Sequence, residues 1–317
     1  MLKIFAGWVT YKIFSIAPAS LLGEAVSFFI YDVIKIFLLL IVIIFVISIT
    51  RSFMPPEKVR QILSRKKKLL GNILAALLGI ITPFCSCSAV PLFIGFVRAG
   101  VPLGVTFSFL VSSPMINEVA LVLLLGLFGW KIATLYVFSG LVIAILSGIV
   151  IGKLKVEKLV KNFVFENNGV YQELVSKPDW KDRINYAKAY TLEILKKVWP
   201  YILIGVGLGA WIHGYVPADF LARYAGAGKW YAVPFAVLVG IPLYSNAAGV
   251  IPLVSALTEK GVSMGTTLAF MMAVTSLSLP EFMILKTVMK TRLIVLFATI
   301  VGLGIMFTGY LFNFVLK

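Results

Sequence analysis

Apolar residues run almost without interruption over about 30 to 50, 69 to 98, 104 to 128, 132 to 152, 196 to 213, 230 to 258, 264 to 285 and 293 to 314. About twenty such residues cross a hydrocarbon core as one helix, so the pattern predicts an all-α, polytopic membrane protein with about 8 apolar segments. Two stretches are too long and too broken for a single span. Those starting at residues 69 and 230 carry Thr82, Pro83, Ser86, Ser88 and Pro91 in one and Pro242, Ser245, Asn246 and Pro252 in the other. Unpaired backbone is costly against lipid, so such breaks are expected only where they face protein or a wet cavity. Each stretch is therefore read as a broken or re-entrant pair of short helices. Ahead of the first span, residues 2 to 14 (LKIFAGWVTYKIF) read as an interfacial amphipathic helix with Trp8 and Phe14 on its wet-dry boundary. Lys12 interrupts the run that a secretory leader would need.

The two broken stretches also resemble each other. Setting "VPLFIGFVRAGVPLGVTFSFLV" (90 to 111) against "IPLVSALTEKGVSMGTTLAFMM" (251 to 272) at a constant offset of 161 aligns Pro91 with Pro252, Gly100 with Gly261, Gly104 with Gly265, Thr106 with Thr267 and Phe109 with Phe270. Further on, each half sets Pro and Glu in an apolar context, "SSPMINE" ending at Glu118 and "SLSLPE" ending at Glu281, where alignment needs a two-residue insertion.

Charge gives the halves an orientation. Residues 51 to 68 carry seven Lys and Arg against one Glu, whereas the matching connection 214 to 229 carries two against one Asp. The positive-inside rule puts the first in the cytoplasm and the second outside. If each broken stretch returns to the side it entered from, residues 153 to 195 and the connection 286 to 292, with Lys286, Lys290 and Arg292, also face in. The expected organisation is an interfacial segment 1–27, a first membrane repeat 28–152, a cytoplasmic charged linker 153–195 and a second membrane repeat 196–317. The repeats then have inverted topology. Broken helices meeting near the midplane of inverted repeats point to a secondary transporter with its substrate site at the breaks.

Composition narrows the class. The 317 residues are 60% hydrophobic and 13% charged, with a mean hydropathy of +1.01, a balance foreign to soluble domains of this length. A formal charge of +16 raises the question of nucleic acid, but the cations gather in short runs between apolar segments and serve as topology signals. No nucleic-acid partner is expected. Two Cys and one His cannot build a four-ligand zinc site, and no cofactor is expected. The absence of a GxxxxGK[ST] loop argues against direct drive by ATP. No Cys/His or Ser/His partnership supports an enzyme.

The chemistry centres on "TPFCSCSAVP", residues 82 to 91, which holds both cysteines. At an i, i+2 spacing two side chains diverge on a regular helix but can converge where the backbone unwinds between Pro83 and Pro91. Converging thiols chelate a soft centre such as trivalent arsenic, antimony or Cu(I). Two other readings stand beside this one. Cys85 and Cys87 can be small residues packed in a kink, or a redox dithiol, although this spacing closes only a strained ring. Glu118 and Glu281 are the acids set deepest in apolar sequence, and a carboxyl at membrane depth is a candidate proton carrier. Asn246, at the Cys85 position of the second half, and Ser245 beside it would line the same cavity from the other side. Asp32 and Lys35 read as an interfacial ion pair, and His213 as a residue at an outer helix end.

The string Thr82-Pro83-Phe84-Cys85-Ser86-Cys87-Ser88, followed by Pro91, Ser112-Ser113-Pro114 and Asn117-Glu118, resembles the ArsP-type predicted permeases over nearly the whole chain. That resemblance implies a multi-pass efflux protein of the cell inner membrane, some of whose relatives export trivalent organoarsenicals. It implies thiolate coordination of the substrate by Cys85 and Cys87, with Ser86, Thr82, Pro83, Ser112, Pro114 and Asn117 around it. The expected partners are a small-molecule or metalloid substrate and membrane lipids, with homo-oligomer formation open. A membrane redox or sulfur-handling protein using Cys85 and Cys87 as a dithiol is the alternative.

Overall fold

The computed structural model describes residues 2–17, 20–53, 68–82, 86–116, 118–161, 164, 180–215, 229–243, 250, 253–255, 257–258 and 260–316. Among the described residues the elements are helical and no strand forms; Val160 and Met289 make an isolated antiparallel bridge. The helices are α1 (Leu2–Trp8, continued by a π turn, Val9–Ile13), α2 (Leu21–Phe53), α3 (Lys68–Ile81), α4 (Ser86–Arg98), α5 (Leu103–Met115), α6 (Glu118–Lys153), α7 (Trp180–Tyr215), α8 (Ala232–Gly240), α9 (Met264–Ser276), α10 (Leu279–Val288) and α11 (Thr291–Val315). Among the described residues three apolar helical stretches are long enough to span a bilayer, Leu22–Val46, Ala120–Lys153 and Thr291–Val315. Large apolar side chains on them point outward, among them Val42, Phe138, Leu146 and Phe307. A surface so apolar is at home against lipid tails.

The middle of the molecule is built differently. All thirteen residues of α5 are buried, and α9 is nearly as enclosed. α5 packs on α3, α4, α6 and α9, and α9 packs on α5, α8 and α11. A thirteen-residue helix rises only about 20 Å, short of a hydrocarbon core about 30 Å thick. Each of these helices is therefore shorter than a full crossing, and each is wrapped by protein.

The apolar runs 104 to 128 and 264 to 285, expected as single spans, are each broken. α5 ends at Met115 and α9 at Ser276, where Ile116 N–H closes on the Ser112 carbonyl and Leu277 N–H on that of Ala273, both at 2.9 Å. Pro114 lacks the N–H that would bond the carbonyl of Leu110, which weakens the last turn of α5. Pro280 has the same effect from the other side, because its ring would strike the Ser276 carbonyl if α9 ran on. α6 is also two helical pieces, joined at Gly129 with φ 82° and ψ 174°.

The 161-residue offset recurs in the packing. Val101 N–H bonds Phe96 O and Val262 N–H bonds Leu257 O, each at 3.0 Å, around Gly100 (φ 75°) and Gly261 (φ 81°), whose left-handed turns suit glycine. Thr106 Oγ1 donates to Pro102 O and Thr267 Oγ1 to Ser263 O. Gly104 lies against Gly148 and Gly152, while Gly265 lies against Gly309 and Asn313. Gly79 meets α5 at Phe109, Ser112 and Ser113, and Gly240 meets α9 at Phe270, Ala273 and Val274. Each of these positions plus 161 is its partner's number. The kink at Gly129 falls, on the same count, at Lys290 between α10 and α11.

Candidate functional site

The helices that flank the described breaks are neighbours, since α4 packs on α5 and α10, and α5 on α9. Thr82 follows α3, its hydroxyl donating back to Leu78 O at 2.8 Å and Gly79 O at 3.1 Å. Leu78 O also takes the Thr82 N–H at 3.1 Å, whereas the residue four on from Gly79 is Pro83, which has no N–H to offer, so the hydroxyl serves that carbonyl. Ser86 and Cys87 open α4. Ser112 is fully buried and donates to Phe109 O, and Pro114 is buried two residues later. Pro83, Cys85, Asn117, Ser245 and Asn246 lie outside the described residues.

The two carboxylates occupy different surroundings. Glu118 is the exposed first residue of α6, where a negative charge meets the positive end of the helix. Glu281 sits in the first turn of α10 at 1% exposure. They are also not counterparts in the repeat. The offset is 161 at Ile116 and Leu277 before the carboxylates, and again at Gly148 and Gly309 after them, so the two-residue insertion that would align the two Glu is not there. In that register Glu118 corresponds to Leu279, and Glu281 to Ala120.

Groups that the sequence reading passed over tie the breaks together. Tyr136, fully buried in α6, donates its hydroxyl to the carbonyl of Met115 at 2.7 Å, at the end of α5. The Thr275 side chain of α9 lies near that hydroxyl, so Tyr136 stands between a break in the first half and a helix of the second. Leu279 N–H bonds Ile241 O at 3.0 Å, joining the start of α10 to the chain beyond α8. Ser108 donates to Asn72 Oδ1 at 2.9 Å between α5 and α3. Polar residues at 0% exposure inside an apolar helix, such as Thr106, Ser108, Ser112 and Ser113, are the signal that could have marked α5 as a helix facing protein on every side.

A second junction lies at one end of the molecule. The chain after α6 pairs with the α10–α11 connection: Lys161 N–H bonds Val288 O, Lys290 N–H bonds Leu159 O, and Lys290 Nζ bonds Lys158 O. Among the described residues no group of three or more His, Cys, Asp or Glu side chains is placed to hold a metal ion.

Residues 21–314 match the profile of a family described as a predicted permease, ArsP_1. The UPF0718 protein MJ0584 of Methanocaldococcus jannaschii is 26% identical over 301 residues, covering 75% of this chain and 82% of its own. A Streptococcus mutans protein provisionally named two-component membrane permease complex subunit is 26% identical over 257 residues, covering 77% and 80%. The UPF0718 protein YcgR of Bacillus subtilis is 21% identical over 264 residues, covering 80% and 84%. No solved structure matches the chain.

Proposed function

The chain belongs to the ArsP_1 family of predicted permeases, and from that premise we propose that it exports a soft, thiol-binding substrate held by Cys85 and Cys87. The substrate class is a trivalent organoarsenical or a related metalloid. One observation carries this reading: in a multi-pass permease, the only two thiols fall where α3 has stopped at Ile81 and α4 is starting at Ser86. A broken helix frees backbone and side chains to face a cavity, and a thiol pair there suits a soft centre. Ser86, Thr82, Pro83, Ser112, Pro114 and Asn117 complete the first-half lining, with Ser245 and Asn246 from the second half.

Inverted repeats supply alternating access in this proposal. What supports them is the junction of Val160 with Met289, because α6 then finishes at the end of the molecule where α11, the counterpart of its second piece, begins. Counterpart helices running in opposite directions are what inversion requires. The cations Lys153, Lys155, Lys158 and Lys161 beside Lys286, Lys290 and Arg292 make that end cytoplasmic under the positive-inside rule. The protein then sits in the cell inner membrane, with residues 1–27 on its surface. Glu281, buried on a helix that packs on α4, is the carboxylate suited to exchange the coupling proton. The Streptococcus mutans relative's name makes a second subunit a reasonable partner to seek.

The test is survival of an efflux-deficient bacterial host on methylarsenite, antimonite and copper, followed by uptake into everted vesicles. Wild type should protect against at least one of the three. Cys85→Ser and Cys87→Ser should each abolish protection, with the double change no worse, because two thiols on one centre act as a unit. Full protection by either single variant, at wild-type membrane abundance, returns the pair to a packing role.

A further inference from the structure

A cavity of about 570 Å³ opens between α3, α5 and α6, at the end of the molecule where α6 finishes. Its inner wall is buried, formed by Asn72, Leu103, Gly104, Val105 and Gly148, while Lys153, Lys155 and Glu157 are exposed at its rim. The apolar span Ala120–Lys153 ends at that rim, so the cavity lies at the depth where hydrocarbon gives way to headgroups. We infer that this cavity binds an anionic phospholipid, its acyl chain along the apolar wall and its phosphate on Lys153 and Lys155.

The internal repeat shows how this place differs between the halves. At the offset of 161, Gly104, Gly148 and Gly152 correspond to Gly265, Gly309 and Asn313. In the second half Asn313 fills the position: its side chain donates to Thr266 Oγ1 at 3.2 Å, and a β-carbon on Gly265 would stand 2.6 Å from Asn313 Oδ1. Gly152 carries no side chain, and the equivalent volume is open. The rim differs in the same way. Lys153 and Lys155 correspond to Phe314 and Leu316, so the filled site has an apolar edge, while the open one carries two cations against the single carboxylate of Glu157. Lys155 is also one of two non-glycine residues with positive φ among those described, at 50°, a sharp turn that keeps residues 155 to 157 beside the cavity instead of leading away from it. Beyond it, the pairing of residues 159 to 161 with 288 to 290 holds the basic segment down on the helix ends. An apolar slot between membrane helices with cations at a cytoplasmic mouth has the chemistry of an anionic headgroup site. The volume falls within the roughly 300 to 1,000 Å³ of ligand pockets.

The whole chain in detergent tests this by native mass spectrometry and thermal unfolding, with dioleoylphosphatidylglycerol against dioleoylphosphatidylcholine. Wild type should retain the anionic lipid at least fivefold better and be thermally stabilised by it. Gly152→Asn should lose that preference by supplying the plug of the other half, although a β-carbon there meets the Gly104 backbone Cα at 3.2 Å, so α5 must give by a few tenths of an ångström. The surface pair Lys153→Gln with Lys155→Gln should lose it without touching the packing, which guards against a folding defect in the first variant. Glycerol 3-phosphate should not compete. Equal retention of both lipids, an unchanged preference in both variants, or full competition by the tail-free phosphate would each overturn the site.

Discussion

Gly304 packs directly on Ile143, close enough that a β-carbon on the glycine would stand 3.1 Å from Ile143 Cγ2. The two positions are 161 apart, so Ile143 rests on its own counterpart. In a two-fold arrangement residues on the axis meet their equivalents, and all others make contacts in reciprocal pairs. The α6–α11 contact is therefore where the halves relate most simply, one large side chain fitting one missing one.

That fit predicts a swap. Gly304→Ile should overpack the contact and lower stability by about 1 to 3 kcal/mol. Adding Ile143→Gly should recover much of the loss, since it restores one large and one absent side chain across the contact. Thermal unfolding in detergent reads both, and a double variant less stable than Gly304→Ile would break the relation.

The hydroxyl of Tyr136 holds the end of α5, and its counterpart in the second half is Phe297, so a phenyl ring fits the repeat at this place. Tyr136→Phe should insert and fold, yet cost about 1 to 3 kcal/mol for leaving the buried Met115 carbonyl unsatisfied. Phe297→Tyr is the control, expected to gain nothing. Unfolding temperatures of the two side by side check the assignment.

The carboxylates should separate in function. Glu281→Gln in proteoliposomes should abolish transport driven by an imposed pH gradient, because the buried group is the one whose protonation has no aqueous alternative. Glu118→Gln should keep most of the flux, since that side chain is exposed at a helix start. Wild-type flux in the Glu281 variant would remove the proton role altogether.

Topology can be read by labelling. In a cysteine-free background, Lys155→Cys should stay unlabelled by an impermeant maleimide in intact cells, while Trp230→Cys, 79% exposed at the start of the α8 region, should react. Val160→Cys with Met289→Cys should cross-link on oxidation, since the two residues face each other. Labelling of both single sites from outside would end the inverted arrangement.

Hydropathy alone determined the class, because uninterrupted apolar runs have no stable home but a bilayer. The prolines and small polar residues at 82 to 91 marked the end of α3 at Ile81, but the expected unwinding does not extend to Pro91, since α4 already runs helical from Ser86 through it, and most of 242 to 252 lies outside the described residues. The repeat was also legible, since Gly100, Gly104, Gly261 and Gly265 answer to the same backbone demands in both halves. The further breaks at Ile116 and Leu277 were not, because α5 and α9 are buried on all faces and so carry no amphipathic period to show where they end. The pairing of the two Glu was misleading for a related reason: similar letters near similar prolines suggested equivalence, whereas glycine contacts on either side fix the register, and those contacts join residues some forty positions apart. The cavity beside Lys153 belongs to the tertiary structure alone, since its wall joins residues of α3, α5 and the end of α6 that only packing brings together, at a place where α6 carries Gly152 and the other half carries Asn313.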